Sequence, residues 1–262
     1  MRILVLTKPV PDPAAAAERL GPDFRLDRAA SPTVVNGNDE YALEAALQLV
    51  EAHGGEVAIL TMGPANSTET MRKALAMGAM RGVLVSDPML EGADLPTTIR
   101  VLAAAAAQEP FDLLLAGLDT SDGAAGVVAA GIAARLGLPL LSAAALIQPD
   151  PAAARVTVRR LTAKGYDLVA APMPAVISCT QALGTPRYPS LKGIMAARSR
   201  EIAHRTVADL GEGTDVPADG RWATRVIAVD RPPARAAGRT VSGPAADAAR
   251  EVADFLADRR II

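Results

Sequence analysis

One loop, Gly117-Leu118-Asp119-Thr120-Ser121-Asp122-Gly123-Ala124-Ala125-Gly126-Val127-Val128, gathers the polar side chains and open backbone donors that a ligand could use. It follows an apolar run over residues 111–116 and leads into a small-residue helix that ends near Leu136. Ser121 or Asp122 is placed to cap that helix. Gly123 and Gly126 leave backbone N–H groups open to close approach, and a helix N-terminus with free N–H groups suits a phosphate. The same residues also suit a tight, capped strand-to-helix turn without a ligand, since no Walker-type lysine follows.

Two further chain segments belong with this loop. The first apolar run ends in Leu6-Thr7-Lys8, and a second ends in Thr61-Met62-Gly63-Pro64. In a parallel sheet all these ends lie on one edge and would line one pocket. No Ser/His/Asp set, zinc spacing or convincing carboxylate pair accompanies them, which points to binding rather than turnover. Asp39 and Glu40 read as first-turn helix charges.

The elements that must position the loop follow from periodicity. Strands are expected at 3–7, 56–62, 82–86 and 111–116, alternating with helices at 39–51, from Asn66 or Ser67 to Met77, and 95–108 with Thr97 or Thr98 near its start. Such alternation gives a parallel sheet with helices on both faces. The runs 139–147, 155–161, 166–170 and 175–179 follow with no helix between them and read as antiparallel additions at one edge. From about 201 the chain is polar and rich in Gly and Pro until an amphipathic helix at 245–258. This organises the chain as an α/β domain over 1–200 and an extended C-terminal arm over 201–262 that lies against something else.

Composition excludes several classes. A net charge of -2 and 3% aromatic residues offer neither the basic field nor the stacking platforms of nucleic-acid binding. No segment has the length of a membrane span or a signal-peptide core, so a soluble cytoplasmic protein without membrane insertion is expected. The single cysteine, Cys179, has no disulfide or metal partner in its spacing and reads as a core residue. His53 and His204 read as surface residues.

Several ordered motifs resemble electron-transfer flavoprotein beta subunits of actinobacterial type. Lys8-Pro9-Val10-Pro11-Asp12 is similar to K-x-V-P-D in that family. Residues 36–45 (NGNDEYALEA), Gly63-Pro64 and residues 73–79 (KALAMGA) also fit, as does Thr185-Pro186-Arg187-Tyr188-Pro189-Ser190-Leu191-Lys192-Gly193-Ile194-Met195. The resemblance implies an adenine-nucleotide α-hydrolase-like fold. It also implies a heterodimer with an alpha subunit whose mobile domain holds the redox FAD, carrying electrons from flavin dehydrogenases to a membrane- or quinone-linked acceptor. It places a nucleotide, AMP or in bifurcating members a second FAD, at Leu6, Thr7, Asn36, Thr61, Met62, Gly63, Gly117, Ser121, Asp122, Gly123, Ala124, Ala125, Gly126, Val127 and Val128. It places dehydrogenase docking at Pro189, Ser190, Leu191, Gly193, Ile194 and Met195. Asp167 aligns with an acidic residue that in some members lies near the moving flavin domain.

The chain departs from the family at informative positions. Ala124, Ala125 and Val127 stand where many AMP-binding members are polar, which removes side-chain contacts to phosphate and leaves the backbone donors. Leu161 stands where an acidic residue often follows an arginine. The competing readings are a stand-alone, stress-protein-like nucleotide-binding module and an adenylyl-transferring ligase. A long arm argues against the first, and the absence of a Gly-rich loop after the first strand argues against the second.

Overall fold

The computed structural model describes residues 1–15, 19–28, 32–211, 214–217, 221–230, 233, 238 and 240–262. The strands are β1 (Arg2–Leu6), β2 (Pro9–Pro11), β3 (Thr33–Val35), β4 (Glu56–Met62), β5 (Arg81–Val85), β6 (Leu113–Gly117), β7 (Leu140–Asp150), β8 (Arg155–Thr162), β9 (Gly165–Pro172), β10 (Ala175–Cys179) and β11 (Ile202–Arg205). The helices are α1 (Gly37–His53), α2 (Ser67–Met77), α3 (Leu95–Ala107), α4 (Val128–Leu136), α5 (Leu191–Ala197) and α6 (Ala245–Asp258). Among the described residues, nine strands form one sheet in the order β11-β5-β4-β1-β6-β10-β7-β8-β9.

Alternation along β1 shows why this sheet is covered on both faces. Ile3 and Val5 join a core with Leu43, Ala46 and Leu47 of α1 and Met71 and Leu75 of α2. Leu4 and Leu6 join a second core with Val101 and Leu102 of α3 and Ile132 of α4. Successive strand side chains point to opposite faces, so a continuous apolar run must be buried twice.

Of the four late strands read as antiparallel edge additions, β8 and β9 are antiparallel throughout, while β7 is antiparallel to β8 but parallel to β10. β10 lies inside the sheet, parallel to β6 on one side and to β7 on the other. All five of its residues are buried, which only an interior strand allows. The β8–β9 hairpin is therefore an excursion, after which the chain returns to fill the gap between β6 and β7.

α3 begins at Leu95 with Thr97 near its start, as expected, and Asp94 supplies the cap, accepting from Thr97 N–H at 3.0 Å. Two other helix starts differ from expectation. α2 begins after Asn66 without a side-chain cap. α4 begins at Val128, so neither Ser121 nor Asp122 caps it. The carboxylate of Asp122 is committed elsewhere, as described below.

The chain divides into two compact units, Met1–Ile227 and Ala228–Ile262. Within the segment read as an arm, β11 pairs in parallel with β5 at the sheet edge. The second unit contains α6, where the Arg259 guanidinium lies 4.4 Å from the Phe255 ring centre. No helix among the described residues is long and apolar enough to cross a membrane.

Candidate functional site

The carboxyl ends of β4, β1 and β6 lie side by side. Leu6 pairs with Leu60, and Val5 with Leu115. Thr7 N–H donates to Leu60 O at 3.0 Å, and the Thr7 and Thr61 hydroxyls share a buried hydrogen bond of 2.7 Å. Met62 ends β4, and Gly63 N–H donates to Val85 O at 3.0 Å. Leu6, Thr7, Thr61, Met62, Gly63 and Gly117 are thus brought to one edge, as the sequence reading required.

Asn36 ties this edge to the 117–128 loop. Its Nδ2 donates to Asp119 O at 2.9 Å, and its Oδ1 accepts from Ser121 N–H at 3.2 Å. A side chain with one donor and one acceptor face can hold a loop by both its C=O and its N–H groups. Beyond this clamp the loop is exposed from Gly123 to Val127. Ala124 and Gly126 have φ of 43° and 65°, so the backbone turns sharply before α4. Among the described residues, no acceptor engages the N–H of Gly123, Ala125, Gly126 or Val127.

The charges are arranged around Asp122. Its side chain is 1% exposed and takes Lys8 Nζ at 2.8 Å and Arg28 Nη2 at 2.5 Å. Burial pushes its carboxyl up, but Lys8 and Arg28 outweigh burial and hold it at about 2. Lys8 and Arg28 balance the two acids of this loop, Asp122, which they hold, and Asp119, which accepts from Asn38 Nδ2. Lys8 was visible in the sequence at the end of the first apolar run, and it lies two residues past β1. Arg28 lies in a loop far from Asp122 along the chain, and no local pattern marks it.

Asp39 stands in the first turn of α1, as expected, but the fold closes over it. It is buried and accepts from Lys8 N–H at 2.8 Å. Its Oδ1 lies 2.5 Å from where a Cβ on Gly117 would stand. Burial drives its carboxyl up to about 7, against opposing hydrogen bonds from Asn36, Lys8 N–H and Gly117 N–H. Asp39 therefore links the ends of β1 and β6 beneath the site. Ser67 Oγ, 2% exposed by residue, has no hydrogen-bond partner among the described residues. It lies 2.5 Å from where a Gly63 Cβ would stand.

A second group of residues lies apart from this edge. Ser190 caps α5, its Oγ accepting from Gly193 N–H at 3.0 Å. Leu191 is 77% exposed, and Ile194, Met195 and Tyr188 are exposed beside it. Pro189 is half-buried. Gly193 is required by packing, since a Cβ there would lie 2.3 Å from Ala76 O. The β8–β9 hairpin exposes Leu161, Tyr166 and Leu168, while Arg160 and Asp167 pair at 2.7 Å.

Residues 23–210 match the electron transfer flavoprotein domain. The chain belongs to the electron transfer flavoprotein family. It is 36% identical to an electron transfer flavoprotein subunit beta of Mycobacterium leprae, over 99% of each chain. It is 31% identical to the subunit beta of Thermoanaerobacterium thermosaccharolyticum over 100% of both. It is 34% identical to the caffeyl-CoA reductase-Etf complex subunit CarD of Acetobacterium woodii, over 93% of this chain and 92% of that one. Within the electron transfer flavoprotein family the chain is of the beta type, an electron-transfer subunit and not an enzyme. Its α/β fold, with a mostly parallel sheet, is consistent with that family.

Proposed function

We propose that the chain acts in the cytoplasm as the beta subunit of a heterodimer. Its alpha subunit would hold the redox FAD, and the pair would carry electrons from flavin dehydrogenases to a membrane- or quinone-linked acceptor. The observation that carries this reading is end-to-end similarity to beta subunits, over 99% of both chains. The exposed apolar side chains on the β8–β9 hairpin and on α5 support it, since grouped exposed apolar residues mark interaction surfaces. FAD held largely by the alpha subunit supplies the electron-carrying chemistry.

The sheet edge with its 117–128 loop is read as a site for the phosphate of an adenine nucleotide, AMP. Backbone N–H groups from Gly123 to Val127 would replace the side-chain donors that Ala124, Ala125 and Val127 lack. Lys8 and Arg28, both paired with Asp122, stand beside them, and Ser67 Oγ is a buried polar atom in want of a partner. Such a group normally finds one. Leu191, with Ile194 and Met195, is read as the apolar anchor for the dehydrogenase.

The test is co-expression with the alpha subunit, sedimentation of the product, and mass spectrometry of released ligands. A one-to-one complex holding FAD and AMP is expected. FAD without any adenine mononucleotide would overturn the phosphate site. A chain that stays monomeric beside its alpha subunit would overturn the heterodimer.

A further inference from the structure

We infer that Arg187 is a positioning residue for docking: it fastens the segment carrying Leu191 to α1, so that the apolar anchor is presented in one orientation. This rests on the docking role proposed above for Leu191.

Arg187 stands one residue before Tyr188, which is 94% exposed, and four before Leu191. Its backbone N–H and Nε both donate to Glu44 Oε2, at 3.1 and 2.8 Å, and Nη2 donates to Glu44 Oε1 at 3.0 Å. Nη1 and Nη2 also grip Glu51 Oε1 and Oε2, at 2.5 and 3.0 Å. Glu44 is itself buried and takes Gln48 Nε2 at 2.8 Å. Glu44, Gln48 and Glu51 are spaced i, i+4, i+7, so one stripe of α1 holds the whole clamp. Two bidentate carboxylates can be served only by the planar, five-donor guanidinium, and a lysine cannot replace it.

The other end of the segment is fastened separately. Arg72 Nη1 donates to Ala197 O at 2.6 Å and also to Arg200 O. Arg200 Nη1 donates to Leu75 O at 3.0 Å and also to Ala79 O. Gly193 lets α5 lie flush against the Ala76 carbonyl. These polar contacts hold the backbone of a seven-residue helix whose apolar side chains Leu191, Ile194 and Met195 face solvent. An isolated helix this short does not hold itself. An anchor ordered before binding loses less conformational freedom on docking, and the saving appears as affinity.

The experiment uses the heterodimer and a flavin dehydrogenase purified by its ability to reduce the wild-type complex. Electron transfer is followed against heterodimer concentration for Arg187→Lys, Glu51→Gln, Leu191→Ala and the Arg187→Lys/Leu191→Ala pair. Dithionite reduction, which needs no docking, and melting temperature are measured in parallel. Leu191→Ala should raise KM roughly tenfold, and Arg187→Lys roughly fivefold with kcat within about twofold. Glu51→Gln, which leaves the buried Glu44 contact intact, should shift KM the same way by a smaller factor. In the Leu191→Ala background, Arg187→Lys should add less than about twofold, because both changes act through one anchor. Dithionite rates should not move.

An unchanged KM for both Arg187→Lys and Glu51→Gln, with Leu191→Ala impaired, would overturn the positioning role and leave the docking reading standing. An equal penalty for Arg187→Lys with and without Leu191 would also overturn it. An unchanged KM for Leu191→Ala would remove the docking reading itself.

Discussion

Replacing Asp122 by Asn keeps the shape of the side chain and removes the charge that Lys8 and Arg28 face. The fall of its carboxyl from 3.8 to about 2 corresponds to about 2.4 kcal/mol of native-state stabilisation. Both cations are more than a third exposed, at 37% and 42%, so solvent screening lowers this to about 1 kcal/mol. In a compact unit of the size of Met1–Ile227, that is a drop of about 2–4 °C in melting temperature. The sign of the pH dependence follows from linkage. The folded value lies below the unfolded one, so the contribution is complete above about pH 4 and is lost as pH falls toward 2. Melting curves of the heterodimer with and without Asp122→Asn should therefore run parallel from pH 7.5 to about 5 and converge below about 4. No gap at pH 7 would show that the two ion pairs contribute nothing. A gap that persists unchanged at pH 3 would show that shape or packing, and not charge, is what Asp122 supplies.

Asp39 should show the opposite dependence. Its folded value of about 7 lies above the unfolded 3.8, so its contribution is complete below about pH 4 and is lost as pH rises from there to 7. Asp39→Asn should flatten the fall of melting temperature between about pH 4 and 7, and an unaltered slope would place the titrating group elsewhere. Gly117→Ala puts a Cβ 2.5 Å from Asp39 Oδ1 and 2.7 Å from the Asn38 carbonyl carbon, which should cost about 2–4 kcal/mol in urea unfolding. A cost below about 0.5 kcal/mol would mean that the β6 end moves freely away from α1. Cys179 is fully buried, and burial raises its thiol far above the ordinary value. Its reaction with a thiol reagent should wait on unfolding and speed up with urea in step with the unfolding transition. Fast labelling of the native protein would contradict its burial.

Much of the fold was legible because it rests on local regularities. The runs at β1, β4, β5 and β6 are apolar at consecutive positions, and the segments between them carry helical stripes. That combination leaves a parallel sheet covered on both faces as the only way to bury both. The edge formed by Thr7, Thr61, Gly63 and Gly117 followed from the same reasoning, since parallel strands end together. The antiparallel hairpin β8–β9 was also readable from its spacing.

Residue order alone therefore settles whatever depends on neighbours along the chain: periodicity, the Gly-containing loop, the helix expected at 39–51 and the ordered motifs of the electron transfer flavoprotein family. Which distant residues meet is settled by the fold alone. β10 reads locally like any late strand, and its place between β6 and β7 is set by the need to bury all five of its residues. Asp122 looks like a helix cap, yet two cations approaching from residues 8 and 28 claim its carboxylate. Asp39 reads as a first-turn helix charge, and it is one, yet the fold also buries it and joins it to the ends of two strands. Arg187 is one arginine in a polar loop until α1 brings Glu44 and Glu51 beneath it. Each of these depends on charge and burial acting across space, and neither leaves a trace in local residue order.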